Sequence, residues 1–192
     1  GEWGRFLLSL HNGRQVMDHL SRIHPGCATV PIVVLRNRGL ASAMYEMSNI
    51  AFKHQKRDFR IRFFRGQAAS MLGKTDEAKL DAAHLMGRNP DRPEGMILEG
   101  MIRMKDDPAT SMALFEQAMA RAAIWKTPIR TYSIDSWEEA ARLWAEMAIV
   151  TKKRRSFLKA INLLRTRYGR SEDVHLLMAR FALNTGNPEV AE

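Results

Sequence analysis

Apolar residues recur at three- and four-residue intervals along most of this chain, the spacing that puts them on one face of an α-helix. Val16, Met17, Leu20 and Ile23 make one such stripe, read as a helix over 13–24 that Pro25-Gly26 closes. Trp137, Ala141, Trp144, Ala145 and Ala148 make another, with Asp135 or Ser136 placed to cap it inside a hairpin spanning Ile134 to Tyr168. Phe157, Ile161 and Leu164 mark that hairpin's second helix, with Gly169 as its stop. Between Val30 and Phe52 the chain is apolar and interrupted only by Gly39. Its β-branched opening would also suit a short buried strand. Helix is preferred, because Pro31 fits a first helical turn and Leu40-Ala41-Ser42-Ala43-Met44 continues helically. The pattern predicts an all-α chain of about nine or ten helices.

Self-similarity adds to this reading. From Phe59 to Arg92 the sequence sets out Gly66, Gly73, Asp76-Glu77-Ala78 and Pro90 in order. Each has a physical role in a helical hairpin. Gly66 and Ala78 let two helices approach closely. Gly73 stands where the first helix ends and suits a left-handed turn. Thr75 or Asp76 is placed to cap the second helix, with acids in its first turn. Pro90 stops that helix. Gly100 follows Gly66 by one interval of about 34 residues, and Phe115 with Ala118 continue that unit. Its turn, Lys105-Asp106-Asp107-Pro108, is a residue short, and its proline stop is delayed to Pro128. Ala179, Gly186 and Ala191 restore the spacing near the C-terminus, and Leu183-Asn184-Thr185-Gly186 echoes Met71-Leu72-Gly73-Lys74.

In residue type and spacing these positions resemble the tetratricopeptide repeat, most clearly over Phe59 to Ala118 and Ser171 to Glu192. The resemblance implies a right-handed α-solenoid of antiparallel helix hairpins. It would run as one continuous array over 59–192, preceded by degenerate helical repeats over 1–58. It also implies a non-catalytic scaffold or adaptor that binds a peptide or helix of a partner protein in a concave groove. The groove-facing positions of the family fall on Arg60, Phe63, Gln67, Ser70 and Met71; on Glu94, Ile97, Met101, Met104 and Lys105; and on Asp173, Leu176, Arg180, Leu183 and Asn184. Some members hold a C-terminal carboxylate with a Lys and an Asn in this groove. Here Phe63 and Gln67 take those places, which argues against such a clamp. The remaining surface is apolar, carries methionine and has arginine at its edges, which suits an amphipathic helix or an extended apolar peptide. Bacterial assembly and secretion complexes use modules of this family, an analogy at the level of the fold.

Charge shifts the expected partner. The net charge is +9, which favours an acidic protein face or an anionic membrane surface and, ranked below protein, nucleic acid. Two stretches concentrate the cations. One holds Lys53, Lys56, Arg57, Arg60, Arg62 and Arg65, interleaved with Phe59, Phe63 and Phe64; the other holds Lys152, Lys153, Arg154, Arg155, Lys159, Arg165, Arg167 and Arg170 with no acid among them. Cations that neutralise phosphates beside rings that stack on bases would make a nucleic-acid surface. Against this stands the ordinary role of phenylalanines at helical spacing, which is to fill the core.

The chain shows little that reads as catalysis, and no cofactor is expected. Ser156-Phe157-Leu158-Lys159 fits Ser-x-x-Lys alone, without the companion motifs of that chemistry. His19, His24 and Cys27 near Asp18 lack the spacing of a structural zinc site. Cys27 is the only cysteine, so no internal disulfide forms. That fits the cytoplasm without excluding the periplasm. Gly1-Glu2-Trp3-Gly4 and Pro188-Glu189-Val190-Ala191-Glu192 both read as cuts through a longer protein, in which a signal, an anchor or a catalytic domain could lie. The uncapped C-terminus predicts that the last helix packs against a neighbour and forms a homo-oligomer.

Overall fold

A computed structural model describes residues 10–124, 136–168 and 172–186. Ten α-helices occupy these residues: α1 (Leu10–Ile23), α2 (Pro25–Asn37), α3 (Ala41–His54), α4 (Phe59–Met71), α5 (Thr75–Arg88), α6 (Pro93–Arg103), α7 (Pro108–Ile124), α8 (Ser136–Val150), α9 (Arg154–Tyr168) and α10 (Glu172–Thr185). No strand occurs among the described residues, so the all-α reading holds. No helix among them is long and apolar enough to cross a membrane. The helices form two compact units, α1–α5 and α6–α10, which divide between Pro90 and Asp91.

Local chemistry explains where the helices begin and end. The sequence reading took Pro25-Gly26 as a stop and set Pro31 in a first turn, and the structure corrects both. Pro25 opens α2, and His24 caps it by accepting the Gly26 N–H on Nδ1 at 3.0 Å. Proline tolerates the first helical position because its missing N–H would have no helical partner there. Pro31 lies inside α2, where the Cys27 carbonyl loses its usual donor. Thr75 and Asp76 do not cap α5. Lys74 stands at the cap without a side-chain bond, Thr75 begins the helix, and Asp76 and Glu77 supply acid to its first turn. The side-chain caps fall elsewhere: Asp58 accepts from the Arg60 and Ile61 N–H groups at the start of α4, and Asp107 accepts from the Thr110 N–H at the start of α7. Gly169, Pro128, Ala191 and the two chain ends fall outside the described residues, and the Ser136 side chain does too.

The hairpin turns share one construction. Gly39 and Gly73 have left-handed backbones, with φ of 68° and 73°. In the first joint Gly39 N–H donates to Arg36 O and Leu40 N–H to Leu35 O; in the second Gly73 N–H donates to Ser70 O and Lys74 N–H to Ala69 O. This paired closure satisfies carbonyls that the helix end would otherwise leave open. The α8–α9 joint repeats it with lysine in place of glycine: Lys152, φ 54°, donates to Ile149 O, and Lys153 to Ala148 O. Lys152 precedes Gly186, another left-handed residue, by the interval that separates Gly39 from Gly73. The α6–α7 turn lacks such a residue, in keeping with its short sequence.

In the first unit α2 pairs with α3 and α4 with α5, α2 also packs on α4, and α1 lies against α2 and α3. In the second, α6 pairs with α7 and α8 with α9, while α6 and α10 both pack on α8. First helices of successive hairpins therefore stand side by side within each unit. The interiors are filled at these crossings. Ile61, Phe63, Phe64, Ala78 and Ala82 are buried in the first unit, and Ile97, Phe115, Trp144, Phe157 and Phe181 in the second. Phe157 and Phe181 stack with centroids 4.1 Å apart. Gly100 is required by contact: a Cβ there would stand 2.5 Å from the Phe115 ring.

Candidate functional site

The second unit builds a face from α6, α8 and α10. Because Lys152 occupies the place that Gly186 takes one repeat later, the residues of α8 that align with the expected groove positions are Glu139, Arg142, Glu146, Ile149 and Val150. Two bonds join α8 and α10, one at matching repeat positions and one a residue out of step. Arg180 of α10 pairs with Glu146 of α8 at 3.8 Å, and the Asn184 amide donates to Ile149 O at 2.9 Å. Along α8, Arg142 donates to Glu146 at 2.6 Å and to Glu139 at 3.3 Å, and Glu139 is almost fully buried. Burial works against the charge of Arg142, but Glu139 and Glu146 outweigh it and hold its pKa above the usual value. The charges of this face thus largely neutralise one another.

Beside exposed polar groups such as Lys105, Arg180 and Asn184, this face leaves aliphatic side chains in solvent. Val150 is 64% exposed, Leu176 58% and Leu183 84%, all at groove positions. Leu176 and Leu183 were legible from the repeat spacing. Val150, Glu139, Arg142 and Glu146 were not, since the α8 joint carries lysine where the repeat signature has glycine. The interval from 152 to 186 is the signal that would have located them.

The anticipated groove residues divide by burial. Phe63 and Ile97 are wholly buried and Gln67 nearly so, which makes them part of the interior between helices and not contact points in this conformation. Met101 and Met104 are half-buried, and Met71, Lys105, Arg180 and Asn184 are exposed. Arg60 is held by the Asp58 carboxylate at 2.7 Å. Arg60, Phe63, Gln67 and Met71 belong to the first unit and the others to the second.

The basic clusters change more. Phe63 and Phe64 are buried, so they present no ring to a base. Arg62 and Arg65 turn onto Asp81, a fully buried carboxylate, at 2.9 and 2.8 Å, and stack on Phe52 with guanidinium carbons 4.7 and 3.6 Å from the ring centre. Burial lowers the Arg62 pKa, with Arg65 adding to the effect and Asp81 opposing it. His84 is also held below the usual histidine value, first by burial and then by Arg62 and Arg88. Lys159 pairs with Glu116 at 2.8 Å and lies over Trp144. Lys53, Lys56, Arg57, Lys152, Lys153, Arg154 and Arg155 remain exposed.

Two of the residues weighed for metal binding take structural places. His24 caps α2, and Asp18 bonds to His54 at 2.6 Å and to Arg22 at 2.8 Å. The described residues contain no group of three metal-ligating side chains.

No family profile matches the sequence, and neither does any curated protein. Solved structures do match. A thermophilic TPR protein of Thermus thermophilus superposes with a TM-score of 0.63 at 14% identity, covering 88% of this chain and 86% of that one. A tetratricopeptide repeat protein from Parabacteroides merdae superposes with a TM-score of 0.58 at 15% identity, covering 99% of this chain and 73% of that one. At such identities the likeness concerns the fold. Together with the hairpin joints and side-by-side first helices, it identifies the chain as a tetratricopeptide-like helical repeat domain.

Proposed function

We propose that this domain is an interaction module and that α6, α8 and α10 seat an apolar-sided segment of a partner protein, either a helix or an extended peptide. The observation that carries this reading is the exposure of Val150, Leu176 and Leu183 beside the Glu146–Arg180 pair and the Asn184–Ile149 bond. Polar bonds join α8 to α10, while aliphatic side chains on the same helices remain in water. Covering such side chains releases that water, a gain that depends little on salt. Met101 on α6 and Met104 at its C-terminal cap, at the corresponding repeat positions, would extend the seat with adaptable side chains. Lys105 and Arg180 lie at its polar edge. Protein scaffolding is the general role of this fold, so the reading needs no catalytic group.

A displayed library of random peptides panned against the purified domain tests this. Selected peptides should carry apolar residues at helical or alternating spacing. Leu176→Lys and Leu183→Lys should each weaken them by about tenfold or more, the contribution of one buried leucine, while far-ultraviolet circular dichroism stays unchanged. Binders that lack apolar spacing, or that ignore both substitutions, would refute the seat.

A further inference from the structure

The α8–α9 joint breaks three local preferences at once. Lys152 takes a left-handed backbone where Gly39, Gly73 and Gly186 serve elsewhere, a conformation that disfavours any side chain bearing a Cβ. Arg154 and Arg155 occupy the first turn of α9 with no acid beside them, although the helix dipole repels cations there. Finally, Lys152, Lys153, Arg154 and Arg155 are four exposed cations in succession, and none forms an ion pair among the described residues. Several cations elsewhere are neutralised: Arg62 and Arg65 on Asp81, Arg142 on Glu139 and Glu146, Lys159 on Glu116. Local choices that oppose the fold mark places held for function.

The other exposed cluster is different. Lys53 lies in the last turn of α3, where the dipole favours a cation, and Asp58 caps the helix that follows. Lys56 and Arg57 simply occupy that connection. Nothing there works against local structure.

From the α8–α9 joint we infer that the domain docks on an anionic membrane surface. Val150 and Leu158 flank the four cations and are themselves exposed, at 64% and 39%, so the joint offers positive charge and aliphatic groups together. A bilayer interface with acidic lipids answers both: headgroup phosphates pair with Lys and Arg, and the upper acyl region accepts short aliphatic side chains. This surface shares Val150 with the seat for a protein segment, but its cations and Leu158 are no part of that seat and the inference does not depend on it.

Sedimentation with vesicles tests the inference. Phosphatidylcholine vesicles with admixed phosphatidylglycerol should retain the domain at low salt, and pure phosphatidylcholine vesicles should not. Arg154→Gln with Arg155→Gln should cut partitioning about 25-fold, roughly fivefold per cation. Lys152→Gly is the sharper variant, because it relieves the backbone while removing a charge. It should unfold at a higher temperature and still bind vesicles about fivefold less well. Equal retention by both vesicle types, or undiminished retention of the double variant, would overturn the inference. So would binding of a polyglutamate peptide or an oligonucleotide through these residues without any binding to vesicles.

Discussion

Gly73 and Lys152 make the same turn with the same pair of hydrogen bonds, yet only one is suited to it. Glycine enters the left-handed region without penalty, whereas a residue with a Cβ is disfavoured there by about 1 kcal/mol through the contact between that carbon and the following carbonyl. Exchange in opposite directions should therefore have opposite effects. Lys152→Gly should stabilise the domain by somewhat less than about 1 kcal/mol, since glycine also frees the unfolded chain. Gly73→Ala should destabilise it by about 1 kcal/mol, even though no atom lies within 4 Å of the added carbon. Urea unfolding of the two variants measures this directly; equal and same-signed shifts would mean that the turn, as described, does not govern the joint. Gly100 is constrained differently, by the Phe115 ring and not by its backbone angle. Glycines at two different positions of the repeat pattern, in successive repeats, are thus required for unrelated reasons, conformation at the joint and space at the crossing.

Helices were legible in this sequence wherever apolar spacing and a small residue agreed, as at Gly66, Gly73 and Ala78. They were misplaced where one residue serves two opposite roles. Proline both ends helices and begins them, and Pro25 was read as an end although His24 caps the helix it opens. The α8–α9 hairpin was expected, but its register was hidden because the turn residue is lysine. Likewise the apolar spacing identified Phe63 and Phe64, but not whether their faces met another helix or solvent. Side-chain pairings across the hairpins were beyond the sequence, since Asp81 meets Arg62 and Arg65 only once α4 and α5 pack. That crossing makes α5 sensitive to acid. His84 has a pKa below its ordinary value in the fold, first from burial and then from Arg62 and Arg88. The folded state thus favours the neutral ring, and its contribution is intact above the ordinary histidine value of roughly 6.5. It is lost as the pH falls through the lowered folded value. Glu77, whose carboxylate accepts a hydrogen bond from Tyr45 and also meets Lys74, has a lowered pKa and loses its contribution at more acidic pH, below the ordinary glutamate range. Stability followed against pH should fall in two stages, and His84→Gln should remove the first while leaving the second. A single decline, unaltered in that variant, would show that His84 is not linked to folding.

A domain with net charge +9 invites an electrostatic account of everything it binds, but its cations do not act as one surface. Those on the α8–α10 face are joined to Glu139 and Glu146 and leave aliphatic groups as its offer to a partner, whereas those at the α8–α9 joint are exposed and unmatched. The two kinds of surface respond differently to salt. Attraction between exposed charges falls with the screening length, about 10 Å at 0.1 M salt and near 3 Å at 1 M, whereas release of water from apolar surface does not weaken with it. The proposals therefore predict a double dissociation. Leu183→Lys should weaken peptide binding by about tenfold or more and leave retention on anionic vesicles unchanged or slightly raised, because it adds a cation while removing an aliphatic group from the seat. Arg154→Gln with Arg155→Gln should do the reverse. In the unsubstituted domain, raising salt from 0.1 to 1 M, taken as about the span of those two screening lengths, should release the vesicles while peptide affinity holds within about twofold. Should both ligands be lost together, in either variant or on adding salt, one surface would be serving both, and the division between a neutralised apolar face and an exposed basic joint would not describe how this domain binds.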